Sequence, residues 1–419
     1  MGLFIGALWQ PIFGILGYLA VYLIWDPGMW WGKAINQYLP RPSFMAMAFL
    51  VIGAIIHLGE LDWSFSRREY ELYLFLGMIF LSSFVFGIGV QDDSWVYIVK
   101  MAKMFVFIFL LIRVVHSLHD YNLLVWIFII STLFLSYEGH TVSAGYYYKG
   151  RLEFIGGVDF GEANGVAAVS AIGTLFLGLG ILYASTWWKK SLYLLGTAFT
   201  IDTIILTQSR GVFAGLLIVI PYILLWAPSQ YRKKICIFAG VGIVLFVTLV
   251  SGNFMTRMKT MSEELEYDQE ERLSRTDYWR TSLQIFKDHP LGIGVKNFQK
   301  IVTAYDPRNP GMDAHNTYVI CYSETGILGI ILFLIIIAET FLQLRRIHLM
   351  AINLPENEIT FYALALGGAL IVYLTGYGMT HTTLYKEILW ILLALPICLE
   401  NVARNLLSEA SQEIYDSEL

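Results

Sequence analysis

The sequence predicts an all-α, polytopic membrane protein of about 12 transmembrane helices, with one large, mainly helical outer loop between spans nine and ten. Three observations predict it. Of 419 residues, 57% are hydrophobic and 15% charged, and mean hydropathy is +0.60, more apolar side chain than a soluble domain uses. Apolar runs recur between polar clusters along the whole chain, and ~20 such residues cross a hydrocarbon core of ~30 Å. The exception is the stretch from about Gly252 to Thr317, dense in Asp, Glu, Lys and Arg.

The runs lie near residues 3–25, 43–58, 72–90, 96–115, 123–138, 163–184, 191–207, 211–227, 235–251, 318–342, 359–378 and 386–403. The first reads as a span, because Met1 to Trp25 lacks a basic start and a small-residue cleavage site, and its apolar run outlasts that of a leader. Cys236, Cys321 and Cys398 fall in predicted spans without metal-ligand spacing, and read as small core hydrophobes. No Gly/Ser/Pro-rich linker, low-complexity tract or repeat divides the chain. It reads as a single membrane domain, 1–419, containing the loop 252–317 and ending in a cytoplasmic tail at 404–419.

A net charge of −5 says less than where the charges sit. Basic residues of short connections collect on the cytoplasmic side. Counted in chain order, the even connections hold Arg67 and Arg68, Arg113, Lys189 and Lys190, Arg232 to Lys234, and Arg345 and Arg346, with Arg404 after the last span. The odd short connections hold fewer: Lys33, Arg41, Lys149, Arg151, Arg210 and Lys386. Both termini are therefore expected in the cytoplasm and the large loop outside.

Three polar features share that outer level. Thr207-Gln208-Ser209-Arg210-Gly211 joins two apolar runs with almost no loop. An arginine so near hydrocarbon snorkels, pairs or faces a water-filled cavity, so Arg210 is either a snorkelling cation or an anion site. Arg272 to Arg280 reads as an amphipathic helix with Ser274 or Thr276 as N-cap. On it Arg275 and Trp279 share a face continued by Ser282 and Phe286, whereas Arg280 lies elsewhere, in pairing range of Asp277. Glu271 stands four residues before Arg275. The glycines of His289-Pro290-Leu291-Gly292-Ile293-Gly294 mark a turn. Asp313-Ala314-His315-Asn316-Thr317-Tyr318 closes the loop, and Glu324-Thr325-Gly326 follows inside the span. A lone interfacial histidine is usually structural, but an intramembrane carboxylate nearby makes this stretch a functional candidate.

Taken in order, these segments resemble the bacterial O-antigen ligase and O-antigen polymerase superfamily, membrane glycosyltransferases that use undecaprenyl-diphosphate-linked glycans. The resemblance rests on Thr207 to Gly211; Arg275 and Trp279 followed by His289-Pro290-Leu291-Gly292 and Gly294; Ala314-His315-Asn316 and Tyr318 leading to Glu324-Thr325-Gly326 and Gly329; and Gly161, Asn164 and Ala167 at the start of a middle span. It covers residues 150 to 340. It implies an inverting, metal-independent transfer with no cofactor, from an undecaprenyl-diphosphate-linked glycan to an acceptor hydroxyl, preferably on lipid A-core. It also implies the bacterial inner (cytoplasmic) membrane, a periplasmic active site, and a place in lipopolysaccharide or surface polysaccharide biosynthesis.

Such a donor carries its own leaving group. The protein must position both substrates, stabilise the departing diphosphate and take up a proton. Guanidinium groups grip phosphate oxygens in a bidentate fork, so Arg210 and Arg275 are assigned to the diphosphate, with Arg280 as a third candidate. His315, with an ordinary pKa of ~6.5, is the catalytic candidate, either as base or as the group that positions the acceptor. Asp313 or Glu324 would orient its ring, with Asn316, Trp279 and Ser209 in support. His381, in Thr380-His381-Thr382-Thr383, is a second histidine outside the motifs. Asp313, His315, Glu324 and His381 lack the spacing of a metal motif, and no metal is assigned.

The same donor half would serve a ligase, a polymerase that extends one carrier-linked glycan with another, or a protein O-oligosaccharyltransferase. A single loop centred on His315-Asn316 favours the ligase. A transporter or flippase, from another class, would show similar halves and a midplane site. Here polar residues gather at one level and only the second half carries the loop. Membrane lipid is an expected partner; nucleic acid is not.

Overall fold

The computed structural model describes residues 2–25, 28–38, 41–90, 92–148, 150–157, 159–249, 275–352, 354 and 358–417. It is built almost wholly of helices: α1 (Gly2–Gly6), α2 (Pro11–Ile24), α3 (Trp30–Tyr38), α4 (Pro42–Ile56), α5 (Arg67–Leu81), α6 (Asp92–Val114), α7 (Leu118–Thr141), α8 (Ala163–Tyr183), α9 (Trp187–Thr207), α10 (Arg210–Trp226), α11 (Ser229–Leu249), α12 (Arg275–Asp288), α13 (Phe298–Tyr305), α14 (Thr317–Ala351), α15 (Glu358–Ile371) and α16 (Glu387–Ser417). Single π-helical stretches extend α5 (Ser82–Phe86) and α15 (Val372–Tyr377). One hairpin, β1 (Tyr147–Tyr148) antiparallel to β2 (Arg151–Leu152), breaks the pattern.

Every predicted apolar run overlaps a helix. Among the described residues, six helices are long and apolar enough to cross a membrane, or up to 7 if α3 and α4 form one bent span. The first predicted span is broken: Pro11 opens α2 after an extended Gln10, since proline has no N–H with which to continue the helix from α1. The predicted tail at 404–419 continues the last helix, which runs to Ser417. Residues 250–274 lie outside the described residues, and with them Arg272, Ser274 and the acidic stretch from Glu263 to Glu271. The described remainder of the polar stretch contains α12 and α13.

Two helices form the centre. The apolar windows of α8 and of α15 with its π-helical extension are each 89% buried, against 39–50% for the other four spanning candidates. Both are rich in Ala and Gly, which lets neighbouring backbones approach closely. The first half of α16, Ile388 to Ala403, fills the space beside them.

One end of the bundle is tied by charge. Arg113 and Glu69 form an ion pair with side chains 0% and 1% exposed. Ser66 starts α5 with a reciprocal capping box to Glu69. Arg68 donates to Ile336 O (3.0 Å) and Thr340 Oγ1 (2.6 Å) of α14, and Gln343 of α14 donates to Glu400 of α16 (2.7 Å). Arg68, Arg113, Arg346 and Arg404 thus gather at the same end.

Candidate functional site

At the other end, the start of α10 is drawn against the π-helical extension of α15. A Cβ on Gly211 would stand 2.3 Å from Gly376 O, and one on Gly376 would stand 2.7 Å from Gly211 O. Two glycines therefore allow backbone to touch backbone. Ser209 caps α10, accepting from Val212 N, and Arg210 is the first residue of the helix. Ser209 Oγ also donates to Asn164 Oδ1 (2.7 Å), which accepts a second bond from Arg151 Nη2 (2.9 Å). The Asn164 amide nitrogen lies 3.2 Å from His381 Nε2.

His381 is firmly held. Its Nε2 is 2.8 Å from Glu162 Oε2, and its Nδ1 is 3.0 Å from Thr380 Oγ1. The carboxylate is the nearer partner of Nε2, and a carboxylate only accepts, so Nε2 carries the proton and the Asn164 amide N–H, itself a donor, makes no hydrogen bond to it. Glu162 Oε1 accepts from Tyr377 Oη (2.6 Å) and Lys386 Nζ (3.1 Å). Burial opposes ionisation of Glu162, but bonds and charge from His381, Lys386 and Tyr377 outweigh it and hold the carboxyl well below the usual range. Burial in turn lowers the His381 pKa, against the pull of Glu162 and with help from His315 and Lys386. Glu162 is thus held first by His381 and then by Lys386 and Tyr377.

The segment around His315 is stitched to the His381 connection. Thr317 N donates to Gly378 O (2.8 Å), Thr317 Oγ1 to His381 O (2.8 Å), Asn316 Nδ2 to Met379 O (3.3 Å) and Thr382 Oγ1 to Asp313 Oδ1 (2.8 Å). Asn316 caps α14 through Tyr318 N and Val319 N. Between these anchors His315 adopts φ +48°, a left-handed conformation that costs a non-glycine residue energy and persists where surrounding contacts impose it. Its ring centroid is 6.0 Å from that of His381 and 6.5 Å from that of Tyr278. Among the described residues its ring nitrogens make no hydrogen bond, and the half-buried imidazole keeps both free for a ligand.

The helix α12 covers this corner. Its buried stripe is Tyr278, Thr281, Ser282 and Ile285. Arg275, one turn before Tyr278, leads that stripe and is half-buried. Ser282 Oγ meets Tyr322 Oη at 2.6 Å, and Phe286 packs edge-on to the Tyr322 ring. Trp279 is half-buried beside this stripe, while Arg280 is exposed on the other side of the helix. Asp277 lies 4.0 Å from Arg308, so it serves that cation as well. The partner suggested for Arg275, Glu271, falls outside the described residues.

The two glycine motifs interlock. Gly326 interrupts α14 with φ +71°. Ile327 N therefore donates to Pro290 O (2.9 Å) instead of Ser323 O, which accepts from Ile293 N (3.1 Å), while Glu324 O accepts from Gly294 N (3.0 Å). A Cβ on Gly326 would be 2.3 Å from the Leu291 carbonyl carbon. The Glu324 carboxylate accepts from Lys296 N (2.9 Å), Phe298 N (3.2 Å) and Tyr385 Oη. The expectation that Glu324 orients His315 therefore gives way to another role: it clamps the turn that carries α12. Asp313 likewise anchors the backbone on Thr382 instead of holding the imidazole. Among the described residues no three His, Cys, Asp or Glu side chains gather as metal ligands.

Comparison with known families bears on the third of the chain that holds most of these motifs. Residues 195–334 match the family model described as O-antigen ligase. This match, over about a third of the chain, supports membership of the O-antigen ligase superfamily. No curated protein matches the chain. The matched stretch contains Ser209, Arg210, Arg275, His315, Asn316 and the interlocked glycine turns. Outside it lie Arg151, Glu162, Asn164, His381 and Lys386, which the fold brings to the same corner.

In the sequence Asn164 stands within a motif, whereas Arg151 and Lys386 stand out only as loop charges. Neither the Glu162–His381–Lys386 contact nor the inward turn of Tyr278 is apparent there. A signal existed for Tyr278, three residues after Arg275. None existed for Glu162 and His381, which are 219 positions apart.

Proposed function

We propose that this protein is a glycosyltransferase that moves a glycan from undecaprenyl diphosphate to an acceptor hydroxyl, preferably on lipid A-core, at the periplasmic face of the bacterial inner membrane. The observation that carries the proposal is His315, 6.0 Å from His381 and 6.5 Å from Tyr278 with both ring nitrogens unengaged among the described residues, while Arg275 lies on the helix that bears Tyr278 and Arg210 follows Ser209, which bonds to the Asn164 beside His381. In the reaction the acceptor oxygen attacks the anomeric carbon from the face opposite the diphosphate. The anomeric C–O bond to the diphosphate breaks, its electron pair leaves with the lipid diphosphate, and the acceptor proton passes to a His315 nitrogen.

Arg210 and Arg275 stabilise the negative charge that gathers on the leaving oxygen. Preorganised cations of this kind are usually the largest catalytic contribution. His315 contributes as base or by positioning the acceptor; His381 has both nitrogens occupied and is a positioning residue. Glu162 keeps it in place. Twelve spans, cytoplasmic termini and an external site form part of this reading, supported by the twelve apolar runs and by the excess of basic residues in the even-numbered connections.

The acceptor is tested by incubating the purified protein with a carrier-linked glycan and, separately, lipid A-core, a second carrier-linked glycan and a hydroxyl-bearing peptide. Product on lipid A-core is expected. Product only on the carrier lipid would replace the ligase reading with a polymerase, and product only on the peptide with a protein O-oligosaccharyltransferase.

A further inference from the structure

At the end of the bundle opposite the site, a cavity of about 320 Å³ opens between α10, α14 and α15, lined by Tyr222, Trp226, Phe341, Leu364 and Ile371 together with Arg345 and His348. Arg210 and Trp226 bound α10, which at ~1.5 Å per residue puts this cavity about 24 Å along that helix from the candidate site, near the thickness of a hydrocarbon core.

Its walls are aliphatic and aromatic, and its rim is cationic. Arg346 and Arg404 both pair with Glu400, but Arg345, one residue earlier, has no carboxylate within ion-pair distance among the described residues. Its guanidinium lies 5.9 Å from the Trp226 ring. The His348 ring stands edge-on to the same indole and lines the cavity beside Arg345.

We propose that this cavity binds one anionic phospholipid of the surrounding bilayer, with an acyl chain against Phe341, Leu364 and Ile371 and the headgroup phosphate on Arg345 and His348. A basic pocket between helices at the membrane boundary has the charge to select an anionic headgroup, and the apolar walls require the chain. The Trp226 ring sits at the boundary between the two parts, where an amphipathic aromatic is favoured.

The test is native mass spectrometry of the purified protein after equilibration with phosphatidylglycerol or phosphatidylcholine, and with inorganic phosphate as competitor. One phosphatidylglycerol should be retained, with about fivefold higher occupancy than phosphatidylcholine, the preference expected from one near-surface arginine. Arg345→Gln, an exposed change that leaves the fold intact, should erase the preference, and Leu364→Trp should lower occupancy by either lipid. Equal retention of the two lipids by the wild type, or an unchanged preference in Arg345→Gln, would overturn the proposal. So would displacement of the lipid by inorganic phosphate, which would show a site that ignores the chain. His315→Ala should retain the lipid fully, which separates this result from the fate of the transfer reaction.

Discussion

His315 and His381 face each other across 6.0 Å and differ in what holds them. Glu162 and Thr380 occupy the nitrogens of His381, whereas the His315 ring is placed by its backbone and by the Tyr278 and His381 rings, without a hydrogen bond among the described residues. That contrast was not legible in the sequence, which ranked His315 by its motif and had no means of pairing Glu162 with His381. Arg210, Arg275 and Asn316 were legible, because an arginine beside hydrocarbon and a side-chain cap at a helix start each have a local physical cause. Glu162 also makes a pH prediction. Its carboxyl is held below the usual range, so the stability it contributes is complete above its ordinary pKa of ~4.3 and is lost as pH falls toward the folded value. The wild type should therefore melt above Glu162→Gln at pH 7, and the two curves should converge as pH drops below about 4. A melting difference that stays constant down to pH 3 would remove Glu162 from this role.

At the scale of elements, the motifs that looked like turn punctuation are one joint. Gly292 and Gly326, both with positive φ, let the turn before α13 replace a missing helical bond in α14. The spacing of the glycines announced a turn, but nothing local could show that two turns 34 positions apart share hydrogen bonds. Gly326→Ala should cost more than the ~1–2 kcal/mol of a left-handed alanine alone, since the added Cβ would also press on Leu291. Gly77→Ala in α5 has open space around it and should stabilise by ~0.5–1 kcal/mol. Thermal melting of the two variants side by side checks the contrast. Equal melting temperatures would mean that the joint is looser than its geometry. The broken first span has a similarly local origin: hydropathy scored 3–25 as one run because it carries no weight for the N–H that Pro11 lacks.

Across the whole molecule, hydropathy located the helices well, while span number rests on counting apolar runs and sidedness on charge placement. The structure adds that one end is bound by buried pairs and the other by the candidate site. The buried pair at the first end should be costly to break from one side: Glu69→Ala is expected to destabilise by ~3–5 kcal/mol, and joint replacement of Glu69 and Arg113 by apolar residues by much less. A double replacement as damaging as the single one would contradict this. The site end carries the central claim, that Arg210, Arg275 and His315 act together on a lipid-diphosphate glycan. The most direct measurement is single-turnover transfer from a purified undecaprenyl-diphosphate-linked glycan by the wild type and by Arg210→Ala, Arg275→Ala and His315→Ala, each shown to melt like the wild type. The prediction is one undecaprenyl diphosphate released per glycan transferred by the wild type, a loss of ~10²–10⁴ in rate for His315→Ala, and no detectable transfer by either arginine variant; near-wild-type rates in Arg210→Ala or Arg275→Ala would contradict it.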